Sequence, residues 1–171
     1  MDAIDTPEWA DNPRLSAWLG TQRDDFPAWS QEHGGGWDFT PASLDRLEEL
    51  VRARFSAWKE ADLARDTVLL QVASWYLGEV QVRHCGAQWR CDPDEPDQLP
   101  VAGGYPLVTV PRAALSHAEQ EMLAREEEED GNPTPVVDPA ATIRSLFAAP
   151  DNHLRDVIGW FDGFRSWLRD A

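Results

Sequence analysis

Three stretches of the chain carry apolar residues at three- and four-residue steps, the spacing of one face of an α-helix. The first opens at Thr40-Pro41, a good N-cap followed by a residue favoured at the first helical position. Its apolar stripe contains Leu44, Leu47, Val51, Phe55 and Trp58. The second, from about 66 to about 84, is apolar on nearly every side, which predicts a buried central helix. The third, from about 151 to 169, has a core stripe and beside it a second stripe of Trp160, Phe164 and Trp167.

Shorter segments complete the predicted architecture. Further helices are expected over 13–19, 25–32, 116–129 and 139–148. Ser116 and Glu119 form a capping-box pair at the start of the third of these. Two strands bounded by glycine and proline are predicted over 86–91 and 105–110. We therefore expect a single α+β domain over 1–171, mainly helical, with a small antiparallel sheet.

The charge of the chain is strongly negative and unevenly distributed. With 15 basic and 31 acidic side chains in 171 residues, the formal net charge is −16. Residues 92–138 carry 12 acids and 2 bases, whereas residues 139–171 carry 4 of each. Two acidic loops are predicted, about 92–104 and 126–139. This field argues against binding to nucleic acid or to an anionic membrane surface, because both need surfaces rich in Lys and Arg.

Two interpretations of the acidic residues stay open. Packed like charges keep a segment solvated, so they can form a solubilising surface. They can also form a docking face for a basic protein, because opposed fields raise encounter rates and set partner choice. In that second interpretation the steering residues are Asp94, Glu95, Asp97, Glu126, Glu127, Glu128, Glu129 and Asp130.

The nine tryptophans are the outlier of the composition. Five of them lie on predicted faces that have the pattern of buried core. Trp160 and Trp167 instead lie outside the main apolar stripe of the last helix. Either a second layer of the protein covers them, or they are interface anchors, since tryptophan is enriched in interface hot spots.

Glu79 is a carboxylate inside the most apolar predicted helix. A buried carboxylate is costly unless it is paired or hydrogen-bonded. One interpretation is a structural partner of Arg83 or of Trp and Tyr donors from packed neighbours. The other is a polar anchor or general base in an apolar pocket that also contains Tyr76, Arg83 and His84. The adjacent Gly78 is costly in a helix interior and is expected to permit close approach of another element.

Three short motifs fall short of known chemistry. Residues 33–36, His-Gly-Gly-Gly, match the oxyanion loop of some lipases, but the chain has no G-x-S-x-G nucleophile motif. Cys85 and Cys91 have neither C-x-x-C spacing nor a second ligand pair, so two half-buried free thiols are expected. The acids at 92, 94 and 97 lack the glycine and the terminal carboxylate of a calcium loop. No cofactor, metal site or catalytic residue is predicted.

The chain has no apolar run near the roughly 20 residues needed to span a bilayer. Its first residues lack the basic and apolar regions of a secretory signal. We therefore expect a cytoplasmic protein. The sequence leaves open whether it forms a homo-oligomer.

The block 75–80, Trp-Tyr-Leu-Gly-Glu-Val, followed by Gly86 and Trp89, resembles a pattern in small uncharacterised bacterial proteins, mostly actinobacterial. In that family a helix rich in aromatic residues ends in G-E-V, and a G-x-x-W strand follows. The segment 37–44 fits the same pattern. The family has no known reaction, so the resemblance implies no catalytic residues.

These observations favour a non-enzymatic, acidic protein-binding module. Its most concrete form is an immunity-type inhibitor that covers the basic active site of a toxin. An acidic surface with aromatic anchors gives fast steering and slow release. Two alternatives stay open: a small-ligand-binding protein or enzyme that uses Glu79, and a structural subunit of a larger bacterial assembly held by the last helix.

Overall fold

Helices make up most of the described chain. The computed structural model of the protein describes residues 3–94, 104–129 and 131–170. Its α-helices are α1 (Pro7–Ala10), α2 (Pro13–Glu32), α3 (Ser43–Arg54), α4 (Trp58–Leu63), α5 (Val68–Cys85), α6 (His117–Glu129), α7 (Pro139–Ser145) and α8 (Asp156–Asp170). Short 3-10 turns lie at Ala3–Asp5 and Arg112–Ala114. The prediction of a mainly helical α+β fold is confirmed.

Among the described residues, three short strands form one antiparallel sheet, in the order β1 (Gln88–Arg90), β2 (Leu107–Thr109) and β3 (Val136–Val137). In the register, Trp89 faces Val108, which faces Val137 on its other side. The first two strands fall within the predicted segments. The sequence does not predict β3, because two residues inside a proline-rich stretch show no alternating pattern.

Helix α5 is the centre of the core, as its apolar composition predicts. Val72, Tyr76, Leu77 and Val80 are fully buried along it. Helices α2, α7 and α8 and the strands β1 and β2 pack around it. The helix ends where Gly86 adopts a left-handed backbone with φ of +66°, the usual role of glycine just after a helix.

Helix α2 unites two helices that the sequence predicts separately. The sequence predicts no helix over 20–24, but Gln22 in that stretch is buried and the helix continues through Pro27. Asn12 caps its start, because its side-chain oxygen accepts a hydrogen bond from the Leu15 N–H at 2.9 Å. Packing of α2 on α5 outweighs the local helix breakers.

Helix α3 is shorter than its apolar stripe predicts. Phe55 has an extended backbone and ends the helix after Arg54. The Glu60 carboxylate then accepts a hydrogen bond from the Ser56 N–H at 2.8 Å, which supports the start of α4. Trp58, predicted as the last member of the α3 stripe, therefore lies on α4 and is 47% exposed.

Helix α8 begins at Asp156, whereas the sequence predicts a start at Asp151. The Asp156 carboxylate, in the first turn of the helix, reaches back to accept a hydrogen bond from the His153 N–H at 3.0 Å, so the helix start is fixed here and not at Asp151. Arg52 also donates to the Asn152 carbonyl at 2.8 Å. These contacts hold the preceding residues in a turn.

The capping box of α6 is confirmed. The Ser116 N–H donates to the Glu119 carboxylate at 2.7 Å, and the Glu119 N–H donates to the Ser116 hydroxyl at 3.3 Å. The helix continues to Glu129, so residues 126–129 are its last turn rather than part of a loop. None of the helices described is both long and apolar enough to cross a membrane.

Candidate functional site

A surface groove lies between α8 and the extended chain that enters β3. It has a volume of about 420 Å³. We call it the Trp160 groove, and it is lined by Pro133, Pro135, Val136, Gly159, Trp160, Gly163, Phe164 and Trp167. Its lining is therefore apolar and rich in aromatic side chains.

The local sequence of α8 explains why this face is open. Val157 and Phe161 are fully buried and fix the helix on the core. Gly159 and Gly163, one turn apart, face outward, and a Cβ atom at either would meet no heavy atom within 4 Å. A glycine in a helix interior costs about 1 kcal/mol relative to alanine. No packing among the described residues requires these glycines, and their absent side chains keep the groove open.

The structure brings the two predicted anchors, Trp160 and Trp167, to this one groove. Trp160 is 54% exposed, so described residues leave more than half of its surface uncovered. Trp167 is half-buried and stacks on Phe164 with the ring centroids 5.9 Å apart. Exposed Trp160 and half-buried Trp167 thus line one apolar groove, and tryptophan is enriched in the hot spots of protein–protein interfaces.

A second hollow of about 510 Å³ adjoins the Trp160 groove and shares two residues with it, Gly159 and Trp160. The exposed carboxylates of Asp156 and Asp162 also line it. Arg155 lines the same hollow, but its guanidinium is paired with the carboxylate of Asp45. The margin of the groove on this side is therefore acidic.

The glutamates at the end of α6 precede the wall of the groove. Glu128 and Glu129 are exposed, whereas Glu127 is paired with Arg112, and Glu126 is partly buried. Glu129 precedes Pro133 by four residues, so their Cα atoms are at most about 15 Å apart. The field of these carboxylates therefore extends towards the groove at low ionic strength.

Of the remaining predicted steering residues, the structure describes Asp94, which lines neither the groove nor the adjoining hollow. Asp94 is exposed, and its carbonyl accepts a hydrogen bond from Arg14 of α2 at 3.1 Å. Glu95, Asp97 and Asp130 lie outside the described residues.

Contacts within the chain hold Glu79. Its Oε1 atom accepts a hydrogen bond from Nε1 of Trp89 at 3.0 Å, and its Oε2 atom lies 3.5 Å from a guanidinium nitrogen of Arg83. The side chain is 17% exposed. Both kinds of structural partner considered from the sequence are thus present. The close approach expected at Gly78 is confirmed, because a Cβ atom there would lie 2.1 Å from the Trp89 ring.

The other residues of the predicted apolar pocket converge on Phe39. The φ of Phe39 is +58°, a left-handed backbone that is uncommon without glycine. Its N–H donates to the Tyr76 hydroxyl at 2.9 Å, and its carbonyl accepts from Nε2 of His84 at 2.9 Å. The Arg83 guanidinium lies 3.7 Å from the centroid of its ring. Burial raises the pKa of Tyr76, which keeps the phenol protonated in this contact.

The thiols and the glycine-rich loop are engaged in the fold. Cys85 and Cys91 are free and buried, and burial raises the pKa of Cys85 to about 11, which disfavours the reactive thiolate. Arg46 donates to the carbonyls of His33 and Gly35, each at 2.7 Å, and so closes the glycine-rich loop. In the described ranges, no group of three or more His, Cys, Asp or Glu side chains is arranged to hold a metal ion.

Sequence reasoning does not identify the wall of the groove or its glycines. Pro133, Pro135 and Val136 fall in a predicted loop, where nothing in the pattern places them beside the last helix. The sequence of α8 nevertheless contains a pattern that could have identified the groove. Gly159 and Gly163 are spaced by one turn within an amphipathic helix, where glycine is unfavourable unless something approaches closely.

Comparison of this chain with known protein families, with curated proteins and with solved structures found no match.

Proposed function

We propose that this protein is a non-enzymatic protein-binding module that seats a basic partner protein in the Trp160 groove. Trp160 and Trp167 are the anchors, and the carboxylates around the groove steer the partner towards it. An immunity-type inhibitor, which covers the basic active site of a toxin, is the concrete form that this activity would take.

The exposure of Trp160 beside an open apolar groove is the observation that carries the proposal. Aromatic side chains in desolvated pockets supply much of the binding energy of protein interfaces, and tryptophan is the most enriched of them. Covering the exposed half of an indole and the groove beside it removes apolar area from water, which favours association.

The charges around the groove favour a basic partner over a neutral or acidic one. Asp156 and Asp162 border the adjoining hollow, while Glu128 and Glu129 precede the groove wall. Opposite charge speeds the diffusional encounter, and like charge suppresses wrong partners. The chain as a whole, with its net charge of −16, extends the same preference to long range.

The alternative of an enzyme or small-ligand binder centred on Glu79 has less support. Its carboxylate is engaged by Trp89 and Arg83, and the nearby Tyr76 and His84 hold the backbone of Phe39. These contacts explain the polar residues of α5 as parts of the fold.

Affinity capture with matched tryptophan variants tests the proposal. The immobilised protein is exposed to a lysate of its source organism at low and at high salt, and bound proteins are identified by mass spectrometry. Trp160→Ala is compared with Trp58→Ala, because Trp58 is also exposed but lies on α4, outside the Trp160 groove.

We expect one basic protein to be retained by the wild type and by Trp58→Ala, and to be lost with Trp160→Ala and at high salt. The proposal is contradicted if Trp160→Ala retains the same proteins as the wild type, or if the retained protein is acidic.

A further inference from the structure

We infer that the element seated in the Trp160 groove is an α-helix of the basic partner, with small side chains one turn apart packed on Gly159 and Gly163. This inference rests on the proposed function and specifies which structure of the partner that function recognises.

The glycine pair provides the first argument. Gly159 and Gly163 are four residues apart in α8, so they lie about 6 Å apart along its axis. The space above each is free of heavy atoms within 4 Å. The distance between packed helices depends on the side chains at their contact, so two glycines allow a second helix to approach α8 closely. Small residues at the facing positions of the partner helix shorten the distance between the two helix axes further.

The backbone of the groove provides the second argument. Pro133 and Pro135 of the wall have no N–H group, and the peptide groups of α8 next to Gly159 and Gly163 bond within their own helix. Val136 in the wall belongs to the two-residue edge strand β3, so an extended peptide would find backbone partners only along that short strand, and the further peptide groups that it buried would stay unpaired, which is costly. A helix satisfies its peptide groups internally, so it is the element that this lining accepts.

The carboxylates beside the groove provide the third argument, and they predict basic residues on the polar face of the partner helix. Asp156 and Asp162 line the hollow that continues from the groove past Trp160, and Arg155 in that hollow is already paired with Asp45. Lys or Arg side chains on the stripe next to the small residues would meet these two carboxylates. The net charge of −16 argues against a second copy of this chain as the occupant, because two copies of equal negative charge repel each other on approach.

Synthetic peptides and leucine variants test the inference. The first probe is an 18-residue amphipathic peptide with alanines at i and i+4, leucines beside them and Lys and Arg on the adjoining stripe. The second is a shuffled peptide of the same composition with no apolar face. Binding of each is measured by calorimetry to the wild type, to Gly163→Leu and to Gly20→Leu.

Gly20→Leu is the matched control. Gly20 also lies inside a helix, α2, and a Cβ atom there also meets no heavy atom within 4 Å, but Gly20 does not line the groove. Both leucine variants replace an unfavourable helical glycine, so both should fold at least as stably as the wild type. A loss of binding confined to Gly163→Leu therefore reports on the groove.

We expect the amphipathic peptide to bind the wild type at least about tenfold more tightly than the shuffled peptide, a difference of about 1.4 kcal/mol. Gly163→Leu should lose this difference, and Gly20→Leu should keep it. The inference is overturned if the wild type binds the two peptides equally tightly. It is also overturned if Gly163→Leu binds the amphipathic peptide as tightly as the wild type does. If neither peptide binds but a basic protein is captured through Trp160, the inference fails and the proposed function stands. If that capture also fails, both are overturned.

Discussion

Glycine-to-alanine substitution at Gly78 should destabilise the protein, although it removes an unfavourable glycine from a helix. A Cβ atom at this position would lie 2.1 Å from Cη2 and 2.2 Å from Cζ2 of Trp89, far inside van der Waals contact. The indole cannot retreat freely, because its ring packs edge-on against Trp18 at 5.3 Å and its Nε1 atom donates to Glu79 at 3.0 Å.

The expected loss follows from three contributions. Alanine gains about 1 kcal/mol of helix propensity over glycine. Overpacking a filled site costs about 1–3 kcal/mol, and displacing Trp89 from the Glu79 carboxylate removes a hydrogen bond to a charged group, worth about 1.5–3 kcal/mol. The net result is a loss of roughly 1.5–5 kcal/mol in the free energy of unfolding.

Urea unfolding followed by circular dichroism measures this loss, with the same substitution at open helical glycines as the control. Gly20→Ala and Gly159→Ala should raise the free energy of unfolding by up to about 1 kcal/mol, because their added methyl groups meet nothing. If Gly78→Ala proves as stable as the wild type with an unchanged m-value, the packing of Trp89 on α5 described here is refuted.

Substitutions at three further positions test side-chain contacts within the fold. Glu79→Leu leaves Nε1 of Trp89 without an acceptor and should cost about 1–3 kcal/mol in urea unfolding, whereas Glu79→Gln should cost less; equal losses would contradict the role of this hydrogen bond. Tyr76→Phe removes the acceptor of the buried Phe39 N–H and should also lower the free energy of unfolding by about 1–3 kcal/mol. An unchanged free energy of unfolding would argue against a stabilising role of this hydrogen bond. Burial alone would raise the pKa of Glu48, but its hydrogen bonds outweigh burial and lower it, so its contribution to stability is present above about pH 4.3 and is lost as the pH falls through the folded-state pKa. Glu48→Gln should therefore flatten the acid-side loss of stability in a pH series of unfolding curves, and an acid limb as steep as that of the wild type would contradict this.

Strong periodic patterns explain what the sequence could predict. The apolar character of α5 predicts its central position, and the pair of Ser116 and Glu119 predicts the start of α6, because both features act within one element. The sequence also allowed the hydrogen-bond partners of Glu79 to be predicted. A carboxylate in such a helix needs donors, and Arg83 and tryptophan were the available ones.

The elements that escaped prediction depend on contacts between distant parts of the chain. The start of α8 is shifted because Arg52 of α3 holds the turn before it. Strand β3 forms because it pairs with β2. Helix α2 continues through the polar residue Gln22 because that side chain is buried in the fold. The Trp160 groove belongs to the same class, since its two sides come from segments with no shared pattern in the sequence.

The binding kinetics of the captured basic protein, measured by surface plasmon resonance over a series of salt concentrations, test the central claim most directly. For the wild type, the association rate constant should fall steeply as salt rises, because carboxylates around the groove steer the encounter. Trp160→Ala should keep this salt dependence and raise the dissociation rate constant by about tenfold or more, as expected on loss of a hot-spot tryptophan. An association rate that ignores salt, together with a dissociation rate unchanged by Trp160→Ala, would contradict the account.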